Sequence, residues 1–439
     1  MTKPDKTWFR VRRYLHFDEP VRREVVEALV QSPERVRKHS FLPFIAYNIE
    51  TRTSKINKKT GERKKIRPIR YASHIDSHVY AYYSKRLAET YESIIRDTPL
   101  NKVVLAFRPL GKTNINFAHE AFLDIHERGS CCAIAMDVSG FFDNLDHAIL
   151  KNRWATMLGK SRLPDDHYAV FKSLTKYAYI EKSAILTELG ISPHNPRKNG
   201  RKRLCSPDVF RRKIRDAGLI QVHRVNKGIP QGSPISAILS NIYMTVFDGS
   251  CCDLATRLGG SYRRYCDDIL FICGNEHKDV AVDDIQRFIQ EHKLEINKEK
   301  TNVSEFTNCG TDAPPFSVAG VDKPLQYLGF MFDGQRRTIR SSSLAKFARK
   351  MKKAVRAAKR AQHKANNIRA KNGLADTLLF KRKLYRRYSY IGKQGFVPYG
   401  IRSAETMDST AIRKQIKPLW KRLRNEIDGN SVDTDFENK

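Results

Sequence analysis

The sequence predicts an α+β fold that is followed by a wholly helical region. From Val103 to about residue 340, helix-like segments alternate with the short β-rich runs VVLAF, CCAIAMDV, YRRYC and ILFIC. Beyond Arg340, apolar residues recur at helical spacing and basic side chains fill the other faces. No apolar run is long enough to cross a bilayer, so the protein is expected to be cytoplasmic, with no membrane partner.

Breaks in these patterns divide the chain into four predicted segments. Residues 1–47 are expected to be a helical leader, and residues 48–340 a mixed domain with a basic insertion at about 190–216. The mixed domain is predicted to open with a hairpin that turns at Lys58-Lys59-Thr60-Gly61 and leads into a helix through Tyr91. Residues 341–425 form the basic helical lobe, which glycines are expected to divide into three helices, and residues 426–439 an acidic disordered tail.

The charge of the chain indicates a polyanionic partner. Lys and Arg number 81 against 47 acidic residues, which gives a net charge of +34. Residues 197–215 hold nine basic residues and one acid, and residues 344–371 hold eleven basic residues and no acid. Such clusters are typical of nucleic-acid binding, whereas the alternative is a merely solvated charged face. The eight cysteines include no CxxC pair and are expected to be free buried thiols.

Three aspartates are the candidate catalytic and metal-binding residues. Asp137 ends an apolar strand in AIAMDVSGFFDNLDH, and Asp267 and Asp268 lie between two β-rich runs in YRRYCDDILFIC, which predicts a hairpin with carboxylates at its tip. Adjacent acids among apolar strands are unfavourable unless a cation compensates them, and oxygen ligands suit Mg²⁺. Carboxylates from two strands could hold the two ions that nucleotidyl transfer requires. For the Asp-Asp pair taken alone, a solvated turn is the competing interpretation.

An ordered series of segments resembles the motifs of reverse transcriptases across roughly residues 60–340. RPIRYASHID and AFRPLGKTNINFAHEAF resemble the fingers motifs, DVSGFFDNLDH motif A, and GIPQGSPISAILSNIYM motif B. YCDD resembles motif C, LEINKEKT motif D, and YLGF the primer grip that precedes the thumb. The resemblance implies a right-hand polymerase with fingers and palm, followed by an all-helical thumb.

The resemblance implies roles for the central residues. Asp137 and Asp267 would be direct ligands of two Mg²⁺ ions, with Mn²⁺ as a substitute, Asp268 would be a weaker ligand or act indirectly, and the Val138 carbonyl would be a further metal contact. Phe142 would be a steric gate that leaves no space for a 2′-hydroxyl, so the expected product is DNA.

Further residues would bind the incoming dNTP and the primer. Gln231 and Gly232 would lie beside the base and sugar, although a helix cap at Ser233-Pro234 also explains this turn. Arg108 and Arg67 would bind the triphosphate, although ordinary surface charge is an alternative for Arg67. Lys300 would donate a proton to the departing pyrophosphate, with the nearby Lys298 as the alternative. Tyr327, Leu328 and Gly329 would form the primer grip.

Within the family, the sequence is most similar to compact bacterial reverse transcriptases of the unknown groups, many of which act in defence against phages. The chain after YLGF accommodates a thumb and little else, QGSP is intact, and no retron-type VTG signature occurs near the thumb. The resemblance implies a structured noncoding RNA as template or scaffold, a DNA primer and product, and dNTPs. Open alternatives are a retron-type or mobile-element enzyme, template-independent synthesis, synthesis primed by a tyrosine such as Tyr385, Tyr388 or Tyr390, and an RNA-binding scaffold without activity. The oligomeric state stays open.

Overall fold

The computed structural model describes residues 8–52, 64–307, 317–319 and 324–429. Its helices are α1 Arg23–Val30, α2 Pro33–Arg37, α3 His74–Ile95, α4 Leu100–Val103, α5 Asn114–Arg128, α6 Phe141–Asn144, α7 His147–Met157, α8 Asp165–Thr175, α9 Lys182–Glu188, α10 Pro207–Phe210, α11 Ser236–Arg257, α12 Lys278–Glu291, α13 Ser341–Lys371, α14 Arg382–Tyr388, α15 Phe396–Thr406, α16 Thr410–Ile416 and α17 Pro418–Asp428. Its strands are β1 Phe44–Arg52, β2 Lys64–Tyr71, β3 Cys131–Asp137, β4 Ala178–Glu181, β5 Gln221–Val222, β6 Ser261–Tyr265, β7 Asp268–Cys273, β8 Asn302–Thr307, β9 Ser317–Ala319, β10 Leu325–Tyr327, β11 Phe330–Phe332 and β12 Arg337–Ile339.

The palm sheet consists of five antiparallel strands in the order β6-β7-β3-β8-β9. Its central strand β3 is buried on both faces, which explains why its sequence is an unbroken apolar run. Ile134 and Met136 pack in the large core with α11, whereas Ala133 and Ala135 pack in a second core with α5 and the C-terminal helices. Layers on both sides therefore hold the strand that ends at Asp137.

The fingers sheet has the order β2-β1-β4-β5, in which β1 pairs antiparallel with β2 and parallel with β4. The predicted hairpin is present, and its turn at residues 58–61 lies outside the described residues. The following helix, α3, extends to Ile95 rather than Tyr91.

The N-terminal leader differs from the prediction of a helical segment. Only α1 and α2 are helical in its described part, and β1 begins at Phe44 rather than after residue 47. Residues 8–22 contain no helix, because they follow the surface of the fingers: the Asp18 carboxylate accepts hydrogen bonds from the backbone N–H groups of His74 and Ile75, both at 2.9 Å, at the start of α3. Leu15 and Phe17 pack with Leu204 and Phe210 of the basic insertion.

The described chain after residue 340 is entirely helical but has five helices, α13 to α17, instead of three. Gly373, with φ of +64°, follows α13 as the prediction expected. The additional boundaries come from Ser409, whose hydroxyl caps α16 by accepting from the Ile412 N–H at 3.1 Å, and from Pro418 at the start of α17. Residues 426–428 complete α17 and are not part of a tail, whereas the expected disorder of residues 430–439 lies outside the described chain.

The described residues include no helix that is long and apolar enough to cross a membrane. The seven cysteines of the described chain are all free thiols, as the spacing predicts.

Candidate active site

Three carboxylates lie where β3 ends and β7 begins. Asp137, the last residue of β3, is directly opposite Asp268, the first residue of β7, in the antiparallel register. Residues in that relation have Cβ atoms roughly 4.5–5.5 Å apart. Asp267 is in the turn between β6 and β7, and its carbonyl accepts a hydrogen bond from the Val138 N–H at 3.1 Å. The hairpin predicted from YCDD thus brings its acids to Asp137.

The segment after α12 runs past the end of β3 and brings a cation to the carboxylates. The Ser139 N–H donates to the Glu295 carbonyl at 2.8 Å, and the Asn297 N–H donates to the Asp137 carbonyl at 2.7 Å. Lys300 follows and donates a hydrogen bond from Nζ to Oδ1 of Asp137. Motif D and motif A are therefore in direct contact.

Burial and the neighbouring negative charges perturb the pKa of Asp268. Its pKa is raised to about 7, first by burial and then by the neighbouring carboxylates of Asp267 and Asp137, while Lys300 and Arg340 act in the opposite direction. The ionised form of Asp268 is therefore unfavourable at neutral pH unless a further cation approaches.

The three carboxylates suit divalent metal ions. Among the described residues, no group of three or more His, Cys, Asp or Glu side chains is arranged to hold a metal ion by itself, so water or substrate oxygens would have to complete the coordination. Some divalent ions keep several waters and are held by only one or two protein carboxylates together with substrate phosphates. The ammonium of Lys300 on Asp137 marks a position where positive charge is stabilised.

Phe142 lies in the short helix α6, which follows β3, and contacts the loop before α11. Its half-buried ring is 5.4 Å from that of Phe141, and its carbonyl accepts a hydrogen bond from the Ile229 N–H at 2.9 Å. Gly228 permits this approach: a Cβ there would lie 2.7 Å from the Asp143 carbonyl oxygen, and its φ is +91°. The proposed sugar gate is therefore joined to motif B.

The QGSP turn contacts the fingers sheet. The Arg70 N–H donates to the Gln231 carbonyl at 2.8 Å, and Gly232, with φ of +111°, brings its backbone so close that a Cβ would be 2.9 Å from the Arg70 oxygen. Gln231 Nε2 is 3.5 Å from Oδ2 of Asp143. The alternative of a cap at Ser233 is not observed, because α11 begins at Ser236 and the Ser233 hydroxyl has no partner among the described residues.

Two exposed cations of β2, Lys65 and Arg67, lie on one face of the fingers sheet. Lys65 and Arg67 are two positions apart on the strand, so their side chains lie on the same face. The pKa of Lys65 is lowered, first by desolvation and then by Lys300 and Arg67, while Asp137 and Asp267 act in the opposite direction. Lys65 is therefore within electrostatic reach of the carboxylates. The sequence interpretation missed it, although the alternation of the strand could have indicated it.

Arg108 has a structural environment that does not agree with the expected triphosphate contact. Its side chain is 1% exposed, and all five of its N–H groups are engaged. They donate to both carboxylate oxygens of Glu92, to the side chain and carbonyl of Asn101, and to the Val104 carbonyl, at 2.7–2.8 Å. The guanidinium joins α3 to the segment after α4 and has no donor left for a phosphate.

The expected primer grip is a tight turn between β10 and β11. Leu328 and Gly329 have φ of +46° and +93°, and the Gly329 carbonyl accepts from the Arg340 N–H at 3.1 Å. Asn114 of α5 donates to the Leu328 carbonyl at 3.0 Å. The Tyr327 ring is buried beneath this turn, and its hydroxyl has no partner among the described residues.

The first thumb helix exposes most of its length. Over the 31 residues of α13, only Phe347, Met351 and Val355 are buried, so its basic residues lie mostly at the surface. Of the three tyrosines considered as primers, Tyr388 is buried and Tyr390 has its ring 5.3 Å from that of Trp420.

The comparison with known families assigns the chain to a class of nucleic-acid polymerases. Residues 56–332 match the family described as reverse transcriptase (RNA-dependent DNA polymerase), which is more than half of the chain. The protein therefore belongs to the reverse transcriptase family, and the predicted α+β fold class is confirmed. Reverse transcriptase domains generally use divalent metal ions.

The chain is also similar to solved telomerase structures. Apo telomerase from Candida tropicalis, truncated from its C-terminal domain, aligns with a TM-score of 0.44 and 12% identity over 72% of this chain and 60% of that chain. Telomerase from Candida albicans in complex with a TWJ fragment of telomeric RNA aligns with a TM-score of 0.42 and 11% identity over 92% of this chain and 66% of that one. The curated proteins include no match.

Proposed function

We propose that the protein copies RNA into DNA by nucleotidyl transfer assisted by two Mg²⁺ ions. The observation that carries this proposal is the meeting of Asp137, Asp267 and Asp268 at one end of the palm sheet, with the pKa of Asp268 raised by burial and by the other two carboxylates. These carboxylates and the Val138 carbonyl would hold the ions. When bound, the ions would activate the primer 3′-hydroxyl and neutralise the triphosphate.

The surrounding side chains select and hold the nucleotide. Phe142 excludes a 2′-hydroxyl by the volume of its ring, while Gln231 and Gly232 border the base and sugar from the QGSP turn. Arg67, together with Lys65, binds the triphosphate from the fingers face, because cations there offset the charge of the transferring phosphoryl group.

Two further elements complete the reaction. Lys300 supplies a proton to the departing pyrophosphate, a role for which its Nζ is suitably placed beside Asp137. The turn at Tyr327, Leu328 and Gly329 holds the primer end, since it is joined both to α5 and to the first residue before the thumb helix.

The template in this proposal is a structured noncoding RNA. The net charge of +34 and the exposed basic residues of α13 and of the insertion favour a partner that is recognised through its phosphates and its shape. Because the sequence resembles compact bacterial enzymes of the unknown groups, we propose that the reaction serves antiviral defence in the cytoplasm. RNA that co-purifies with the protein, sequenced together with its DNA copy, would identify the template.

The decisive experiment is primer extension with an RNA template, a DNA primer, dNTPs and Mg²⁺. The Asp267→Ala/Asp268→Ala variant should bind the primer–template as wild type does but make no product. Asp283→Ala/Asp284→Ala is the matched control, because it removes an adjacent acidic pair from the exposed face of α12, where the Asp284 ion pairs with Arg257 and Arg287 contribute little to stability. Extension by the first variant would refute the site.

Tight RNA binding by a wild-type protein that extends nothing would instead favour a binding scaffold. In cells, protection against phage that depends on Asp267 and Asp268 would support the defence role. Protection by the alanine variant would separate that role from synthesis.

A further inference from the structure

A buried arginine lies directly behind the catalytic hairpin. Arg264 of β6 and Asp248 of α11 are both 0% exposed and form a two-pronged ion pair, with Nε–Oδ1 and Nη2–Oδ2 distances of 2.7 and 2.6 Å. The Tyr262 hydroxyl donates to the same carboxylate at 2.7 Å. Two of the three N–H-bearing nitrogens of the guanidinium are thus engaged by Asp248.

The third nitrogen of Arg264 points to the turn that includes the catalytic acids. Nη1 donates to the Cys266 carbonyl at 3.1 Å and is 3.3 Å from the side-chain oxygen of Asn241. Cys266 has φ of +61°, a left-handed conformation that is unfavourable by roughly 1–2 kcal/mol for a residue with a Cβ. Contacts with the surroundings must therefore maintain the conformation of Cys266. The Arg264 guanidinium provides one such contact, because it donates a hydrogen bond to the Cys266 carbonyl.

The turn is held on its other side by the palm. The carbonyl that Arg264 binds belongs to the peptide bond between Cys266 and Asp267. The next carbonyl, that of Asp267, accepts a hydrogen bond from the Val138 N–H. Successive carbonyls on either side of the Asp267 backbone are thus held by two different elements. The direction of the Asp267 side chain depends on both.

The same network reaches the fingers. The Leu105 N–H donates to the Arg264 carbonyl at 2.9 Å, and Asn241 donates from Nδ2 to the Ala106 carbonyl at 3.0 Å. α11, the catalytic hairpin and the chain that enters α5 therefore meet at Arg264, the first two through its side chain and the last through its backbone carbonyl.

Stability alone does not account for such a pair. Replacing a buried ion pair by apolar residues of similar volume is often neutral or stabilising, because desolvation offsets the attraction between the charges. Removing one partner is strongly destabilising, because the other charge stays buried. Apolar residues in place of the pair could not donate the hydrogen bond that the Arg264 guanidinium makes to the Cys266 carbonyl.

We infer that Arg264 is a positioning residue that, supported by Asp248, holds the Cys266-Asp267 turn in its left-handed conformation and so sets the metal affinity of the catalytic carboxylates. This inference rests on the proposed function. It assigns Arg264 no contact with substrate or metal, and its effect passes through the backbone at Cys266.

Two variants test this inference. Arg264→Lys keeps the positive charge opposite Asp248, but a single ammonium lacks the fork that reaches both the carboxylate and the Cys266 carbonyl. The apolar triple variant Arg264→Met/Asp248→Leu/Tyr262→Phe removes the buried charges together with the hydroxyl that Asp248 binds, so no ion is left unpaired. Arg263→Lys is the matched control, because Arg263 is the adjacent residue of β6 and pairs with Asp124 on the opposite face.

Mn²⁺ is the probe, and the signal of free Mn²⁺ in electron paramagnetic resonance reports binding without requiring polymerisation. Asp267→Ala/Asp268→Ala defines the background, and circular dichroism and thermal melting establish which variants fold. We expect both Arg264 variants to bind Mn²⁺ at least about tenfold more weakly than wild type, a difference of about 1.4 kcal/mol, and to need correspondingly more Mn²⁺ for primer extension. Arg263→Lys should behave as wild type.

Wild-type Mn²⁺ affinity in a folded Arg264 variant would overturn the inference. If the triple variant does not fold, Arg264→Lys decides by the same criterion. If wild-type protein extends no primer but binds Mn²⁺ in a manner that depends on Arg264, the positioning role stands and the proposed polymerisation fails.

Discussion

Lys300 donates a hydrogen bond from Nζ to Oδ1 of Asp137, although 163 positions separate the two residues in the chain. The contact places the ammonium of motif D on the carboxylate that ends β3. It also distinguishes Lys300 from Lys298, which the sequence left as an alternative.

Substitution of Lys300 should therefore affect the chemical step. We expect Lys300→Ala to lower the single-turnover rate by about 10²-fold, the lower range for loss of a general acid, with little change in primer–template affinity. Lys298→Ala is the control and should retain the wild-type rate. Rapid-quench kinetics at saturating dNTP would measure both, and equal losses in the two variants would contradict the assignment.

The raised pKa of Asp268 predicts how stability depends on pH without metal. The folded protein holds a proton up to about pH 7 that the unfolded chain releases near pH 4, so this contribution to folding is present at low pH and is lost as the pH rises to about 7. In EDTA, Asp268→Asn should stabilise the protein at pH 8 by up to about 4 kcal/mol and have little effect at pH 4. Thermal melts in EDTA at several pH values would measure this, and an equal effect at both pH values would argue against it.

The same pKa predicts the effect of metal on stability. Mg²⁺ should raise the melting temperature more at pH 8 than at pH 5.5, because at the lower pH it competes with the proton on Asp268. Asp267→Ala/Asp268→Ala should show no such difference. A similar stabilisation of that variant would indicate binding elsewhere.

Phe142 should determine the choice of sugar. We expect Phe142→Ala to increase the incorporation of ribonucleotides relative to deoxyribonucleotides by at least about tenfold, since the space closed by the ring becomes available to a 2′-hydroxyl. The ratio of kcat/KM for rATP and dATP measures the change, and dATP incorporation by the same variant is the internal control. An unchanged ratio would exclude Phe142 as the gate.

Gly232 should not tolerate a side chain. Gly232→Ala combines a positive φ with a Cβ 2.9 Å from the Arg70 carbonyl oxygen, so the QGSP turn must move away from the fingers. Gly218→Ala is the control, because Gly218 also has a positive φ but no atom lies within 4 Å of its added Cβ. Both variants should lose about 1 kcal/mol of stability from strain, whereas we expect only Gly232→Ala to raise KM for dNTP markedly in steady-state assays.

The exposed cations of α13 should contribute to the salt dependence of RNA affinity. Replacing Arg360, Lys364 and Lys371 by glutamine should reduce the slope of log affinity against log salt by roughly 0.7–0.9 for each RNA phosphate that is no longer neutralised. Lys160→Gln/Arg162→Gln/Lys172→Gln removes the same charge from the region of α7 and α8 and should change the slope less. Fluorescence anisotropy across a salt series would compare them, and equal slopes would refute a specific role for the thumb.

The sequence by itself determined the features that depend on short spacings. The apolar run of β3, the YCDD hairpin and the helices after residue 340 follow from local periodicity, and the order of the motifs led to the family that the comparison confirmed. Local patterns suffice here because strand alternation and turn residues act over a few positions.

Only the tertiary structure decided which charged side chains face the site. The sequence predicts a triphosphate contact for Arg108 and assigns no role to Arg264, but the fold buries both and pairs them with Glu92 and Asp248. Lys65, in contrast, is placed by β2 where the charges of Asp137 and Asp267 act on its pKa. A side chain's partner is set by packing between elements far apart in the chain, and the balance of desolvation and pairing that fixes its role exists only once those elements meet.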